Sequence, residues 1–294
     1  MFQIRLLAAS IAAVVASLLS FPATAEPGFT LQASAFVDDQ DGTSYDLNAQ
    51  FQPSDWLTLS AGAGRSRSSA LTTDFNGTAV HGGVDVQRGR FGGGLQASGW
   101  EDSDQFTSRI LSGRFAVTLA ESFEAGVLLE SRQLEVGYTT TGLLGRTIPQ
   151  NLHFQGSGLG AELGWYGRAW SGHLRGIAYD YDTQLDRVIA ASRAPATRAF
   201  PQLASLVSSV LTRTAGAIDY QASLGVDRAF ARSGLGVDLT LSSDTISGDD
   251  SASLSVSWRY ELSTHLGIDT TLGLTETDGF DSTGFAGLGF SFRN

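Results

Sequence analysis

Apolar and polar positions alternate along most of the chain, most clearly from Ser251 to Phe292. Ala252, Leu254, Val256, Trp258 and Tyr260 share one parity, and Ser253, Ser255, Ser257, Arg259 and Glu261 the other. A second run sets Leu266, Ile268, Thr270, Leu272 and Leu274 against Gly267, Asp269, Thr271, Gly273 and Thr275. A third sets Ala286, Leu288, Phe290 and Phe292 against Gly287, Gly289, Ser291 and Arg293. Successive side chains of a strand point to opposite faces, so each run predicts a strand with one apolar and one polar face. Earlier runs repeat the unit from Phe29–Val37 to Leu235–Leu241 and bring the expected total to fourteen strands, with twelve as the alternative.

The connections alternate too. Tight turns follow the even-numbered strands, at Pro53–Asp55, Arg88–Arg90, Glu121–Ser122, Gly167–Arg168, Phe230–Ser233 and Leu262–His265. Longer or acidic loops follow the odd-numbered ones, among them Arg65–Thr78, Trp100–Phe106, Gly137–His153, Asp182–Gly216 and Glu276–Asp281. A soluble sandwich has no reason to sort loop lengths by parity, whereas a membrane barrel with both termini on one side does. Aromatic residues flank the tight-turn side: Phe51, Trp56, Phe91, Phe123, Trp165, Tyr166, Trp170, Phe230, Trp258, Tyr260 and Phe292. Amphipathic rings settle at membrane interfaces, so these predict a girdle on the periplasmic side. Tyr45, Trp100, Tyr138, Tyr179, Tyr181 and Phe285 predict a looser girdle at the other end.

The first residues depart from this pattern. Arg5, the uncharged apolar run Leu6–Ser20 and the small residues of Ala23-Thr24-Ala25 read as a secretory signal peptide, residues 1–25, cleaved before Glu26. The barrel is then expected over 26–294. No other stretch approaches the roughly 20 apolar residues that a spanning helix needs. The chain has no cysteine, which removes disulfides, thiolate metal sites and cysteine nucleophiles. Its formal net charge of −11 argues against nucleic acid, which needs a basic footprint.

The signal peptide, alternating strands, short turns, girdles and aromatic last strand together resemble the bacterial outer-membrane β-barrel proteins, the porin-like class. The resemblance covers nearly all of 26–294. It implies an all-β, transmembrane antiparallel up-and-down barrel exported to the bacterial outer membrane. It also implies contact with membrane lipid and lipopolysaccharide, and insertion by the barrel assembly machinery. In that class the last residue is often an aromatic; here Arg293 and Asn294 follow Phe292.

The polar parity is expected to line the lumen. Its charged members are Asp46, Asp85, Arg114, Glu124, Glu130, Arg132, Glu162, Arg175, Asp219, Asp227, Asp238, Arg259, Glu261 and Asp269, with His81 and His173. Glycines of the same parity, such as Gly83, Gly94, Gly158, Gly267 and Gly287, are expected to leave space. The acid excess favours cations, unless the charges pair and fill the lumen. Within the longest loop, Leu203, Leu206, Val207, Val210 and Leu211 follow helical spacing, so Pro201–Thr212 is either a constriction inside the barrel or a segment on its rim.

Outer-loop carboxylates such as Asp38, Asp39 and Asp41 could take a divalent cation or simply be solvated. His81 with Asp85, or His153 with Ser157, supply pieces of a catalytic site without matching a catalytic motif. The expected function is a passive diffusion channel for small polar solutes, leaning to cations and needing no cofactor. The alternatives are a filled barrel acting through its outer loops in adhesion or envelope integrity, and an outer-membrane lipid-modifying enzyme.

Overall fold

The computed structural model describes residues 28–39, 41–70, 73–102, 106–141, 147–182, 218–245 and 248–294. Residues 1–25, expected as a signal peptide, and the segment with Leu203, Leu206, Val207, Val210 and Leu211, expected as a constriction or rim segment, lie outside them. Fourteen strands form: β1 (Gly28–Asp38), β2 (Thr43–Ser54), β3 (Leu57–Ala70), β4 (Thr73–Arg88), β5 (Phe91–Asp102), β6 (Phe106–Ala120), β7 (Phe123–Thr141), β8 (Thr147–Tyr166), β9 (Trp170–Tyr181), β10 (Ile218–Ala229), β11 (Ser233–Asp244), β12 (Asp250–Glu261), β13 (Leu266–Thr277) and β14 (Thr283–Arg293).

Every strand pairs antiparallel with its neighbours in sequence, and β14 closes on β1 through Leu31↔Phe292, Ala33↔Phe290 and Ala35↔Leu288. The count is fourteen, and the twelve-strand alternative falls away. Closure leaves no open edge, so the ladder satisfies the strand backbone internally, as an apolar surrounding requires. The six tight turns stand where the chain's punctuation puts them. In the β4–β5 turn Gly89 has φ +62°, the left-handed region a glycine enters at no steric cost.

The apolar parity faces outward. Val84, Leu95, Leu111, Phe115, Val127, Leu129, Leu159, Leu163, Leu254 and Leu272 are all exposed there. At the turn end Phe91 and Phe115 stack with centroids 6.2 Å apart, and Trp258 lies 5.6 Å from Tyr260. The Arg228 guanidinium sits 5.0 Å from the Trp170 ring and 4.9 Å from that of Phe230. The two residues past Phe292 are tied in. Arg293 N donates to His265 O at 2.8 Å, Asn294 N to Phe29 O at 3.0 Å, and the Arg293 guanidinium pairs with Glu261 at 3.0 Å.

Three sequence expectations are corrected. Arg65–Thr78 and Gly137–His153 are not loops: β3 continues to Ala70, β4 starts at Thr73, β7 runs to Thr141 and β8 starts at Thr147. Beyond Leu129↔Leu159 the outward pairs become Ser131↔Ser157, Gln133↔Gln155 and Glu135↔His153. Beyond Ala63↔Val80 they become Arg65↔Thr78 and Arg67↔Asn76. The ladder goes on where the outer face turns polar, so alternation disappears while the strand does not.

Period two puts Ile218 and Tyr220 on one outward face, but Ile218 does not share it. The β10–β11 register shifts between them, leaving Asp219 as the unpaired residue of a bulge. Ile218 therefore pairs with Asp244, turns inward and packs against Leu128, Ile177 and Tyr179.

The second aromatic girdle also fails for most of its members. Tyr45 is exposed on the outside, but Trp100, Tyr179, Tyr181 and Phe285 sit on the polar parity and face inward. Each lies over a glycine of the neighbouring strand: Gly77, Gly158, Gly156 and Gly273, where a Cβ would strike the ring. A ring laid over a glycine covers backbone that has no side chain of its own. Such glycines do not widen the lumen, as expected from their small size; their notches are filled from next door.

Candidate functional site

The interior is built from one side chain in two, and among the described residues its charged members form two ion clusters and several local pairs, with a few groups outside them. The first cluster centres on Arg114 of β6. Its Nη2 donates to Glu124 of β7 and its Nε to Glu162 of β8. The second joins neighbours on β7 and β9. Arg132 Nε donates to Glu130 Oε1, Arg132 Nη2 donates to Tyr179 Oη at 2.9 Å, and Tyr179 Oη donates to Glu130 Oε1 at 2.9 Å. The Arg132 guanidinium also stands 4.3 Å from the Tyr179 ring centroid, and Ser112 Oγ donates to Glu130 Oε2 at 3.2 Å. Only 5% of the Arg132 side chain and 6% of Glu130 is exposed. A buried pair is tolerated when hydrogen bonds satisfy both partners, as they do here.

An apolar group backs this cluster. Leu128, Ile177, Tyr179 and Ile218 are buried together, with Tyr181 against them. Tyr181 accepts Ile218 N at 3.0 Å. Sequence reasoning missed Leu128 and Ile177 as interior residues, although both interrupt a polar parity, Leu128 between Gly126 and Glu130 and Ile177 between Arg175 and Tyr179.

The wall from β11 to β14 is different. Arg259 pairs with Asp269 at 2.6 Å with two-thirds of its side chain exposed, and Glu261 pairs with Arg293. His173 of β9 and Asp238 of β11 lean from both sides over Gly225 of β10 and stand 3.8 Å apart. Asn48 and His81 flank Gly62 in the same way, and His81 interacts electrostatically with Asp46. Asp85 lies four positions along the same strand from His81, about 13 Å away and out of hydrogen-bond reach. His153 stands outward, 3.8 Å from Glu135.

A cavity of about 200 Å³ lies along the inner wall between β3 and β9. Asp85, Gln96, Arg114, Glu130, Arg175 and Ile177 line it, with Ser60, Ser112 and Leu128. Asp85, Gln96 and Arg175 are exposed although they point inward, so solvent reaches this part of the inner wall.

The decisive comparison is with solved structures. The chain superposes on the CymD monoaromatic hydrocarbon channel with a TM-score of 0.52, covering 95% of this chain and 92% of that one at 10% identity. The fold is that of an outer-membrane β-barrel channel. The KdgM porin matches at a TM-score of 0.43 and 11% identity over 90% of this chain and 98% of that one. A loop-deleted OmpT, an outer membrane protein of Vibrio cholerae, matches at 0.45 and 9% identity over 92% and 98%. No protein-family profile and no curated sequence matches the chain significantly.

Proposed function

We propose that this protein is an outer-membrane channel for passive diffusion of small polar solutes, with a weak preference for cations. The observation that carries the reading is the exposure of Asp85, Gln96 and Arg175, which point inward into a shared cavity on the inner wall. A lumen filled by paired charges would bury them. The cation preference rests on what remains after pairing. Arg114, Arg132, Arg259 and Arg293 are each held by carboxylates. Among the described residues Asp46, Asp85, Asp227 and Asp238 have no arginine partner, whereas Arg175 is the interior arginine without a carboxylate. An excess of fixed negative charge along a wet path raises cation occupancy.

In this reading residues 1–25 are removed on export and the tight turns face the periplasm. The ring of Phe51, Trp56, Phe91, Phe123, Trp165, Trp170, Trp258, Tyr260 and Phe292 lies at that interface. Lipid and lipopolysaccharide surround the barrel, the barrel assembly machinery inserts it, and no cofactor takes part. Planar-bilayer recording of the refolded protein is the test: discrete conductance steps and a reversal potential on the cation side are expected. Absence of steps, in the whole chain and in a form lacking residues 201–212, overturns the reading. The buried cluster of β7, β9 and β10 favours a second reading, a filled barrel that works through its outer loops, and that outcome would support it.

A further inference from the structure

Among the described residues, two interior charges that share one cavity, Arg175 and Asp85, have no ion-pair partner, and the register explains why. Arg175 stands directly across from Glu162 in the β8–β9 ladder, the carboxylate it would be expected to pair with. Glu162 is instead taken by Arg114, reaching over from β6. On the other side Arg175 faces Ser223. Asp85 faces Thr58 on β3 and Gly94 on β5, neither of which can neutralise it. Among the described residues neither Arg175 nor Asp85 makes a hydrogen bond or an ion pair with a side chain.

Both line the same cavity of about 200 Å³. Its remaining surface is divided. Gln96 and Ser60 offer neutral hydrogen-bonding groups, while Leu128 and Ile177, both buried in the apolar cluster, form a fixed hydrophobic side. Arg114 and Glu130 also border the space, but their charges are committed. Among the described residues the cavity thus presents an uncommitted cation, an uncommitted anion and an apolar wall.

We propose that this cavity binds zwitterionic solutes of amino-acid size that carry an apolar side chain. The carboxylate meets the Arg175 guanidinium, which matches it in a two-pronged way. The ammonium meets Asp85, and the apolar side chain lies against Leu128 and Ile177. The inference rests on the channel reading, because it names the solute class that the lumen would select. A solute with only one of the charges leaves the other wall group unanswered.

The test is calorimetric titration of the refolded full chain in detergent with L-leucine, 4-methylpentanoate and 3-methylbutylamine, the last two lacking the ammonium and the carboxylate. Leucine is expected to bind about tenfold or more tightly than either, since each charge-assisted contact is worth at least that factor. Asp85→Asn is expected to erase the advantage over 4-methylpentanoate, and Arg175→Gln the advantage over 3-methylbutylamine. Both variants leave the ion clusters intact, and far-UV circular dichroism checks that they fold. Equal affinity for the three compounds, no measurable heat with leucine, or leucine binding indifferent to both substitutions overturns the proposal. Conductance is recorded on the same preparation. A conducting barrel that fails the titration sinks the site alone, and leucine binding without conductance steps sinks the channel reading.

Discussion

The barrel has two inner walls of opposite character. Around Glu130, Arg132 and Tyr179 of β7 and β9 the interior is dry and interlocked: the three share hydrogen bonds, and Leu128, Ile177 and Ile218 pack beside them. On β12–β14 the ion pairs are wet: Arg259 and Arg293 pair with Asp269 and Glu261 while most of each guanidinium side chain stays in solvent. The strands differ as well. β7 and β8 have 19 and 20 residues, whereas β11, β12 and β13 have 12 each. About ten tilted residues suffice to cross a membrane. The long hairpin therefore carries its packed interior beyond the apolar band, and the short wall stops near it. One charge type does two jobs depending on the wall: buried and fully bonded it fixes a surface, exposed and loosely paired it leaves a path for water.

The largest test of this contrast is Arg132→Met. It strips Glu130 and Tyr179 of their partner inside a dry cluster, and leaving a buried charge unpaired costs about 3–5 kcal/mol. Equilibrium urea unfolding in lipid vesicles should show a loss of that size. Ile177→Ala follows, with an expected cost of about 2–4 kcal/mol from lost burial and the cavity left behind. Gly158→Val comes next. A Cβ at Gly158 would stand 2.7 Å from the Tyr179 ring, so the ring must move, at about 1–3 kcal/mol. The smallest effect belongs to Arg259→Gln on the wet wall, expected to stay within about 1 kcal/mol because an exposed pair contributes little. If Arg259→Gln and Arg132→Met cost the same, the two walls do not differ as described.

The parts of this molecule that follow period two were legible in advance. Strand number, turn positions and the outward face all come from alternation, because a barrel wall with one apolar face has to alternate. What was not legible breaks that rule for a physical reason. The upper halves of β3, β4, β7 and β8 are polar outside, so nothing marked them as strands. Ile218 changes face through a single skipped residue, Asp219. Tyr179 and Tyr181 looked like interface aromatics, yet they share parity with Arg175, and the glycines that receive them lie on another strand. The free state of Arg175 could not be read at all. It depends on Arg114 reaching Glu162 across 48 positions of sequence.

The absence of native cysteine allows one direct measurement of the wet wall. Ser257 faces inward on β12 beside Gly236, and its neighbour Val256 faces outward. Single-channel recording of Ser257→Cys, before and after a water-soluble cationic methanethiosulfonate, with Val256→Cys as its partner experiment, addresses the central claim. Conductance steps that drop on modification at 257 and stay unchanged at 256 are the predicted result. Steps that respond alike at both positions, or no steps at all, would contradict a water-filled path along this wall.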